Sequence, residues 1–309
     1  MTTIEWTQRT WNPVRGCSRV SPGCDNCYAM RQAHRFSGNC QPYEGLTTIR
    51  RGKVDWTGSV RFVPEMLEVP LQRKPTTWFV NSMSDLFHES LTNEQIAAVF
   101  GVMAATHQHT YQILTKRPQR MRDWFAWVGD DGLRWSRMVA AIRQNYPHRP
   151  ALGRRVIEGL DSQVLQWPLT NVWLGVSCED QARANERIPL LLETPATVRF
   201  VSAEPLLGPI DLTRLTWGNG DFCNALRRDS YRGGLDSERL DWVIVGGESG
   251  PGARPCDVEW IRSIVRQCRE AGTACFVKQL GSRLGLRDPK GGDCSEWPED
   301  LRVRETPEA

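Results

Sequence analysis

The sequence has no apolar run long enough to cross a bilayer, and its first residues lack the basic and then apolar character of a secretory signal. We therefore expect no membrane partner and a cytoplasmic protein. Charge of one sign is also scarce, since the net charge is only +3 and acidic and basic residues are interspersed. This balance gives no direct support for a nucleic-acid surface and leaves nucleic acid open as a partner.

Histidine is scarce as well, with five residues in the chain. No two of them have a spacing typical of a metal site, so we interpret all five as ordinary polar residues. His34, which follows Cys27 on a predicted helix, would be the exception if it approached the cysteine thiols. The candidate metal ligands are instead cysteines.

With 309 residues, of which 40% are hydrophobic and 24% charged, the chain has the composition of a globular protein with a sizeable core. It contains ten cysteines. In a reducing compartment a disulfide framework is not expected, so clustered cysteines indicate metal ligands and scattered ones indicate small buried hydrophobic residues. Five are interpreted in the second way: Cys178, Cys256, Cys268, Cys275 and Cys294.

Short apolar runs rich in aromatic and β-branched residues recur along the chain and predict buried strands. The clearest runs are 78–80, 111–114, 172–176, 198–201, 242–245 and 275–277, and 11–14 and 60–63 are further candidates. Between several of them lie helical patterns, at 92–105, 178–193 and 257–271. Thr92 and Gln95 are placed to form a capping box, and Gly272 is placed to end the last helix.

The alternation of strands and helices predicts right-handed crossovers and a mainly parallel sheet of seven or eight strands. The predicted fold class is α/β, a complete or partial parallel β/α barrel of the TIM-like type with loop insertions. A doubly wound open sheet is the alternative, because periodicity does not distinguish a closed sheet from an open one. We expect one domain over 1–285, with insertions near 129–168 and 217–240, and a loosely ordered tail over 286–309.

Polar residues follow each predicted strand, and in a parallel barrel all of these ends lie on one face, where active sites are built. Any single one of these polar residues is most simply explained by the solvent exposure of the strand end that it follows. As a set they suit a zwitterionic ligand beside a metal, with Gly246 and Gly247 allowing a close backbone approach and Glu248 accepting from an ammonium group. Four residues are candidates for the reaction: Asp85, Lys116, Glu204 and Lys278. Six are candidates for contacts with a cofactor: Tyr28, Ser82, Arg117, Gly246, Gly247 and Glu248.

Three cysteines near the start of the chain, Cys17, Cys24 and Cys27, stand in a C-x6-C-x2-C spacing within a loop that contains Gly and Pro. This spacing indicates a metal. Three thiolates suit a [4Fe-4S] cluster with one open iron, whereas a fourth thiolate from Cys40 would complete a structural zinc site. A cluster would indicate a redox enzyme, and zinc would indicate a binding module or a hydrolase that works elsewhere on the same face.

The cysteine loop and the strand-helix alternation resemble the radical S-adenosylmethionine enzymes. The resemblance implies a [4Fe-4S] cluster whose open iron binds the amine and carboxylate of S-adenosylmethionine, reductive cleavage of that cofactor to a 5′-deoxyadenosyl radical, and hydrogen-atom abstraction from a substrate. Six residues separate Cys17 from Cys24 where that superfamily commonly has three, and its Gly-Gly-Glu turn comes late here, at 246–248.

A second resemblance, which covers most of the chain, is to a phage-associated family of unknown function with a three-cysteine motif. The shared motifs are IEWT at 4–7, TWNPV at 10–14, GC at 16–17, SPGCDNCY at 21–28, SMSDLF at 82–87, LTKR at 114–117, WLGVS at 173–177, SAEPL at 202–206 and GGESG at 246–250. The resemblance assigns no substrate, electron donor or partner protein. Two alternatives stay open, a zinc-stabilised binding protein and a non-catalytic phage or host-defence interaction protein.

Overall fold

The computed structural model describes residues 4–129, 133–145, 154, 156–158, 166–217, 221–228 and 238–307. The fold is mixed α/β. The strands are β1 (Arg9–Trp11), β2 (Val14–Arg15), β3 (Thr47–Arg50), β4 (Lys53–Trp56), β5 (Arg61–Phe62), β6 (Thr77–Val80), β7 (Thr110–Thr115), β8 (Val172–Ser177), β9 (Val198–Ala203), β10 (Leu215–Trp217), β11 (Asp221–Cys223), β12 (Trp242–Gly246) and β13 (Ala274–Gln279). The helices are α1 (Tyr28–His34), α2 (Asn93–Ala105), α3 (Pro118–Val128), α4 (Arg134–Asn145), α5 (Gln181–Leu192) and α6 (Val258–Ala271). Among the helices of these ranges, none has the length and apolar character that a membrane crossing needs.

The main sheet has seven strands in the order β1-β6-β7-β8-β9-β12-β13. Neighbouring strands run parallel, with Trp11 opposite Val80 and Val243 opposite Cys275 as examples of the register. The spatial order follows the order along the chain without reversal. A doubly wound sheet reverses its strand order at a switch point, so the fold is consistent with a partial β/α barrel and not with the doubly wound alternative.

All six of the clearest predicted strands belong to the main sheet. The run 60–63, predicted to belong to it as well, does not: β5 pairs antiparallel with β2 in a separate two-stranded sheet. The physical reason lies in its flanks, because Pro64 starts a 3-10 turn directly after this two-residue strand. The predicted strand 11–14 is likewise divided, since Trp11 ends β1 and Val14 begins β2.

The chain divides into two compact units, where the sequence predicts one domain. Unit 1 comprises residues 1–20, 27–173 and 195–197, and unit 2 comprises residues 21–26, 174–194 and 198–309. The predicted insertions lie near 129–168 and 217–240, and much of both falls outside the described residues. Their described parts include α4 in the first and the β10-β11 hairpin in the second.

In unit 1, helix α2 forms as its sequence predicts. Thr92 accepts a hydrogen bond from the Gln95 backbone, and the Gln95 side chain accepts one from the Thr92 backbone, which completes the capping box. Helix α4, from the first insertion, packs against α2 at Gly101. A Cβ atom at that position would lie 2.9 Å from Ile142 Cδ1, so the glycine allows the two helices to approach closely.

In unit 2, the core consists of strands with continuous apolar sequence. Every residue of β9 is buried, as is β12 along its whole length. The Phe200 ring lies where a side chain of Gly175 would be, with its Cζ atom 2.5 Å from the position of an added Cβ. Helix α6 begins at an Asp257 cap and ends at Gly272, which has a φ of +67°, as predicted.

The C-terminal segment of unit 2 is held by the sheet, whereas the sequence predicts a loosely ordered tail over 286–309. Trp297 and Leu301 are 2% and 0% exposed. The Val277 backbone donates to the carbonyl of Val303, and the Glu305 backbone donates to the carbonyl of Cys275, so the described tail adds hydrogen bonds to β13. Because the tail is rich in charged residues, its sequence gives little indication that Trp297 and Leu301 anchor it.

We expect the substitution Leu301→Ala to lower the free energy of unfolding by roughly 2–4 kcal/mol, because it removes a fully buried side chain from a 3-10 turn that contacts α6. The measurement is urea unfolding followed by circular dichroism. Glu299→Ala, at an exposed position of the same turn, is the control and should change stability by less than about 0.5 kcal/mol. Equal stability of the two variants would contradict the docking of the tail.

Candidate functional site

The three cysteines of the predicted metal loop lie at the ends of short elements. Cys17 follows β2, Cys24 ends a 3-10 turn that begins at Pro22, and Cys27 is the residue before α1. All three are half-buried. Cys17 and Cys27 belong to unit 1 and Cys24 to unit 2. Within the described ranges, no three His, Cys, Asp or Glu side chains are grouped as they would be around a metal ion.

In unit 1, Cys17 and Cys27 both pack against one apolar cluster formed around α1 and β4. The buried members of this cluster are Ala29, Met30, Ala33, Tyr43, Leu46, Trp56 and Met83. Both thiols therefore lie at the edge of a surface that displaces water, and charges near them interact more strongly than they would in bulk solvent.

Arg117, which precedes α3, lies beside the first of these thiols. Its side chain is only 4% exposed. Nε donates to both carboxylate oxygens of Glu89 at 3.0 and 2.9 Å, and Nη2 donates to the carbonyl and hydroxyl oxygens of Ser18 at 3.1 and 2.8 Å. Nη1 donates to Asp85 Oδ2 at 3.1 Å and lies 3.9 Å from Cys17 Sγ. All five N–H groups of the guanidinium are thus directed at acceptors.

The charge of Arg117 is strongly favoured at this position. Burial alone would lower the pKa of Arg117, but the negative charges of Asp85, Cys17 and Glu89 outweigh that effect and raise it. Arg117 therefore keeps its positive charge beside the Cys17 sulfur.

Asp85 is an acceptor for four groups and not an open carboxylate. It receives hydrogen bonds from Thr115 Oγ1 at 2.7 Å, from the Phe87 backbone at 3.0 Å, from the Lys116 backbone at 3.1 Å and from Arg117. Its oxygens are thus already engaged by donors of the protein, and its predicted part in the reaction stays a prediction. The carboxylate connects the segment after β6 to the start of α3. Lys116 contacts it through its backbone N–H.

His88, which the sequence gives no reason to single out, completes this group. Its Nδ1 accepts from the Ser90 backbone at 3.1 Å, and its Nε2 lies 2.9 Å from Ser18 Oγ. Burial, then the Arg117 charge, lower the pKa of His88 and favour the neutral ring. A neutral ring with Nδ1 as acceptor carries its proton on Nε2, so His88 donates to Ser18.

Tyr28 and Ser82, both predicted to contact a cofactor, lie next to each other in unit 1. The Tyr28 hydroxyl donates to the Ser82 carbonyl at 2.7 Å, and Ser82 Oγ donates to Asn12 Oδ1 at 3.2 Å. Half of the Tyr28 side chain is exposed, at 51%. The hydrogen bond fixes the hydroxyl and leaves the ring exposed, and the predicted contact of both residues with a cofactor stays a prediction.

His34 and Cys40, both in unit 1, do not resemble ligands of a closed metal site. His34 Nδ1 lies 3.0 Å from Thr47 Oγ1, as expected of an ordinary polar residue. Cys40 is exposed, and its thiol lies 3.8 Å from Asn39 Oδ1. A fourth ligand of a structural zinc site would be expected in a more enclosed position.

In unit 2, Glu204 and Lys278 form an ion pair at the ends of β9 and β13, with 3.1 Å between Nζ and Oε1. Their side chains are 12% and 26% exposed, so the pair is shielded but still accessible. Among the four residues predicted for the reaction, Glu204 and Lys278 are the two whose charged groups contact each other in the described part of the chain. The part predicted for Glu204 and Lys278 in the reaction stays a prediction.

Gly246 and Gly247 are required by close packing within unit 2. A Cβ atom at Gly246 would lie 2.9 Å from both Glu204 Oε1 and the Gln279 carbonyl, and one at Gly247 would lie 2.4 Å from the Leu280 carbonyl. The Gly247 backbone also donates to the Gln279 carbonyl at 3.0 Å. The backbone here packs closely against the end of β13, and its predicted approach to a cofactor stays a prediction.

Glu248, predicted to accept from a ligand ammonium, is engaged by Arg254. The two carboxylate oxygens receive Nε and Nη2 of Arg254 at 3.0 and 2.7 Å, and Asn26 Nδ2 donates to Oε2 at 2.9 Å. Burial alone would raise the pKa of Glu248, but these hydrogen bonds lower it. Arg254 also donates to the Pro22 carbonyl at 2.9 Å, so Glu248 and Arg254 together hold the turn that carries Cys24.

A buried ion pair in unit 2 holds the same turn and is absent from the predicted site. Glu179 Oε1 accepts from the Gly23 backbone at 3.0 Å, and its Oε2 lies 3.3 Å from Arg187 Nη1. Both side chains are essentially inaccessible, at 0% and 1%. Arg187 lies on the apolar face of α5 with Ala184 and Leu191, and a cation in that position indicates a buried partner. This signal is present in the sequence, whereas nothing there indicates the contact of Arg254 with Glu248.

We expect Asp85→Asn to lower the free energy of unfolding by roughly 3 kcal/mol, because it leaves the buried Arg117 charge without its main partner and turns an amide donor toward other donors. Glu89→Gln is the control, since Glu89 contacts the same guanidinium but is 63% exposed, and it should cost less than about 1 kcal/mol. Urea unfolding of both variants is the measurement. A larger effect at Glu89 would contradict this assignment.

The lowered pKa of Glu248 predicts a pH-dependent contribution to stability. Its folded-state pKa lies below the ordinary value of 4.5, so its charge stabilises the fold above that value and the contribution is lost as the pH falls through the folded-state pKa. Glu248→Gln should lower the free energy of unfolding by about 1–2 kcal/mol at neutral pH, and the deficit should shrink between about pH 5 and about pH 3. Urea unfolding at each pH tests this, and a deficit that is the same at every pH would count against it.

Comparison with known proteins places the sequence in a family. A family model described as "Protein of unknown function (DUF5131)" matches residues 1–290. No curated protein and no solved structure matches the chain. Since the match covers nearly all of the 309 residues, the chain belongs to this family of proteins of unknown function.

Proposed function

We propose that this chain is an iron-sulfur enzyme of the radical S-adenosylmethionine type, with a [4Fe-4S] cluster held by Cys17, Cys24 and Cys27. The observation that carries the proposal is the environment of the thiols. Each is half-buried, two pack against one apolar cluster, and the first lies 3.9 Å from a guanidinium nitrogen. Limited solvent exposure and N–H donors near sulfur are the features by which proteins adapt a site to iron-sulfur clusters.

The donor set suits that group, because thiolates are the usual ligands of iron-sulfur clusters and three of them leave one iron open. When bound and reduced by one electron from a separate donor, a cluster held by Cys17, Cys24 and Cys27 would supply the electron for reductive cleavage of S-adenosylmethionine. The substrate class and the electron donor are not assigned by this proposal.

The roles proposed for the surrounding residues follow from their contacts. Arg117 keeps a positive charge beside the Cys17 sulfur and fixes the backbone of Ser18, and the exposed ring of Tyr28 is a candidate contact for the adenine. The Glu204–Lys278 pair is the remaining candidate for proton transfer or for binding a carboxylate. We do not extend the proposal to a reacting role for Asp85 or to ammonium binding by Glu248, because their oxygens already accept several hydrogen bonds.

The alternative is a zinc-stabilised binding protein, for example in phage-host interaction, with a structural site of four cysteines that includes Cys40. The exposure of Cys40 favours the cluster over this alternative. The two candidates make opposite predictions for a Cys40 variant, so Cys40 provides the matched control.

Protein purified and reconstituted without oxygen should contain about four iron and four sulfide per chain and absorb broadly near ~400 nm. Cys17→Ala, Cys24→Ala and Cys27→Ala should each lose this absorption, because three ligands are the minimum for the cluster, and Cys40→Ala should keep it. With dithionite, the cluster-loaded protein should convert S-adenosylmethionine to 5′-deoxyadenosine and methionine. Stoichiometric zinc that is lost in Cys40→Ala would refute the proposal and support the alternative.

A further inference from the structure

A two-stranded ribbon in unit 1 projects basic side chains at its tip. Strands β3 and β4 pair antiparallel and are joined by Arg51 and Gly52. These two residues have φ values of +49° and +73°, the signs that a tight type I′ hairpin turn requires. The ribbon is therefore a defined hairpin with a short turn.

The base of the ribbon packs against α1 and the apolar cluster, which fixes the position of its tip. Trp56 at the end of β4 is buried, and Val54 packs against the apolar cluster around α1. His34 of α1 lies within hydrogen-bond distance of Thr47 at the start of β3. These contacts hold the ribbon against α1.

The tip concentrates like charges. Arg50 and Lys53 are directly opposite each other in the ribbon register, and the turn between them contributes Arg51. All three side chains are exposed, and within the described residues none of them is paired with an acidic group. Like charges on opposing strands destabilise a ribbon, and an arginine at positive φ is less favourable than the Asn or Gly usual in this turn. This arrangement opposes the stability of the hairpin and favours an anion as its partner.

The neighbouring sequence adds to this positive charge. From Tyr28 to Arg61 there are six Lys and Arg residues and two acidic ones, so the segment is more positive than the whole chain, whose net charge is +3. Of the two acids, Asp55 is paired with Arg19, and Glu44 accepts from the Cys40 backbone. Arg35, just after α1, is exposed as well.

We propose that the β3-β4 ribbon binds duplex DNA through its phosphate backbone. A two-stranded β-ribbon fits the major groove of B-form DNA, whereas the major groove of an RNA duplex is too narrow for it. Single-stranded nucleic acid calls for aromatic stacking platforms, and the tip carries none. An anionic membrane calls for a broad apolar face, and within the ribbon Ile49 is the one exposed large apolar side chain.

This inference goes beyond the proposed function and does not rest on it. It concerns residues outside the cysteine loop and can be tested on protein that carries no cluster. A failure of cluster assembly leaves DNA binding unaffected, and a failure of DNA binding leaves the cluster proposal unaffected.

The probe is an end-labelled DNA duplex of about 20 base pairs, with binding to the full chain followed by fluorescence anisotropy across a series of KCl concentrations. The ribbon variant is Arg50→Gln, Arg51→Gly and Lys53→Gln combined. Glycine at position 51 removes a charge and accommodates the positive φ, so the hairpin is expected to remain folded. Circular dichroism and urea unfolding check that the variant is folded and at least as stable as the wild type.

The matched control variant also removes three positive charges, from exposed positions away from the ribbon: Arg73→Gln, Lys74→Gln and Arg266→Gln. In the ribbon variant we expect the affinity at about 50 mM KCl to fall at least about tenfold, and the slope of log affinity against log salt to become shallower by about 0.9 for each lost contact. The control variant should stay within about twofold of wild type, because its charges lie outside the proposed contact.

Three results would overturn the proposal. The first is wild-type protein that does not bind the duplex at low salt, and the second is an equal loss in the ribbon and control variants. The third is ribbon-dependent binding to phosphatidylserine vesicles that exceeds binding to the duplex, which would assign the tip to a membrane surface.

Discussion

A buried guanidinium needs an acceptor for each of its N–H groups, because a charge without partners away from water is strongly unfavourable. In unit 1, Arg117 satisfies this requirement with Asp85, Glu89, Ser18 and the Cys17 sulfur. These acceptors come from the segment after β6 and from the start of the cysteine loop. One desolvated cation thereby determines the positions of segments that are far apart in the sequence, including the backbone beside the first thiol.

In unit 2 the buried charges that need partners are carboxylates. Glu179 is fully buried and accepts from the Gly23 backbone while it pairs with Arg187, and Glu248 is held by Arg254 and accepts from Asn26. The turn that carries Cys24 is short and has little regular structure of its own, and these two carboxylates accept hydrogen bonds from two of its residues. In each unit, therefore, a paired buried charge fixes part of the cysteine loop.

This dependence on paired charges explains which parts of the molecule could be predicted from sequence. Local signals were sufficient for the main strands and for the caps of α2 and α6, because apolar runs and capping residues act within a few positions. Proximity of Asp85 to the start of α3 was also predictable, since neighbouring parallel strands end at the same edge. Its role was not, because the number of donors around a carboxylate depends on backbone geometry. The partners of Glu248 were not predictable either, since Asn26 lies more than two hundred positions away and no pattern in the sequence links Arg254 to this carboxylate.

Net charge illustrates the same limit. A chain with a charge of +3 and interspersed signs gives little reason to expect a basic surface. Buried pairs leave that balance unchanged, because Arg117 with Asp85 and Arg187 with Glu179 each remove one charge of either sign from the surface. What differs from place to place is the distribution of the charges that stay exposed. The basic residues of the β3-β4 turn are exposed and have no acidic partner in the described structure. The surface potential of a protein therefore depends on how its exposed charges are distributed, and an almost neutral chain still presents a local surface that attracts anions.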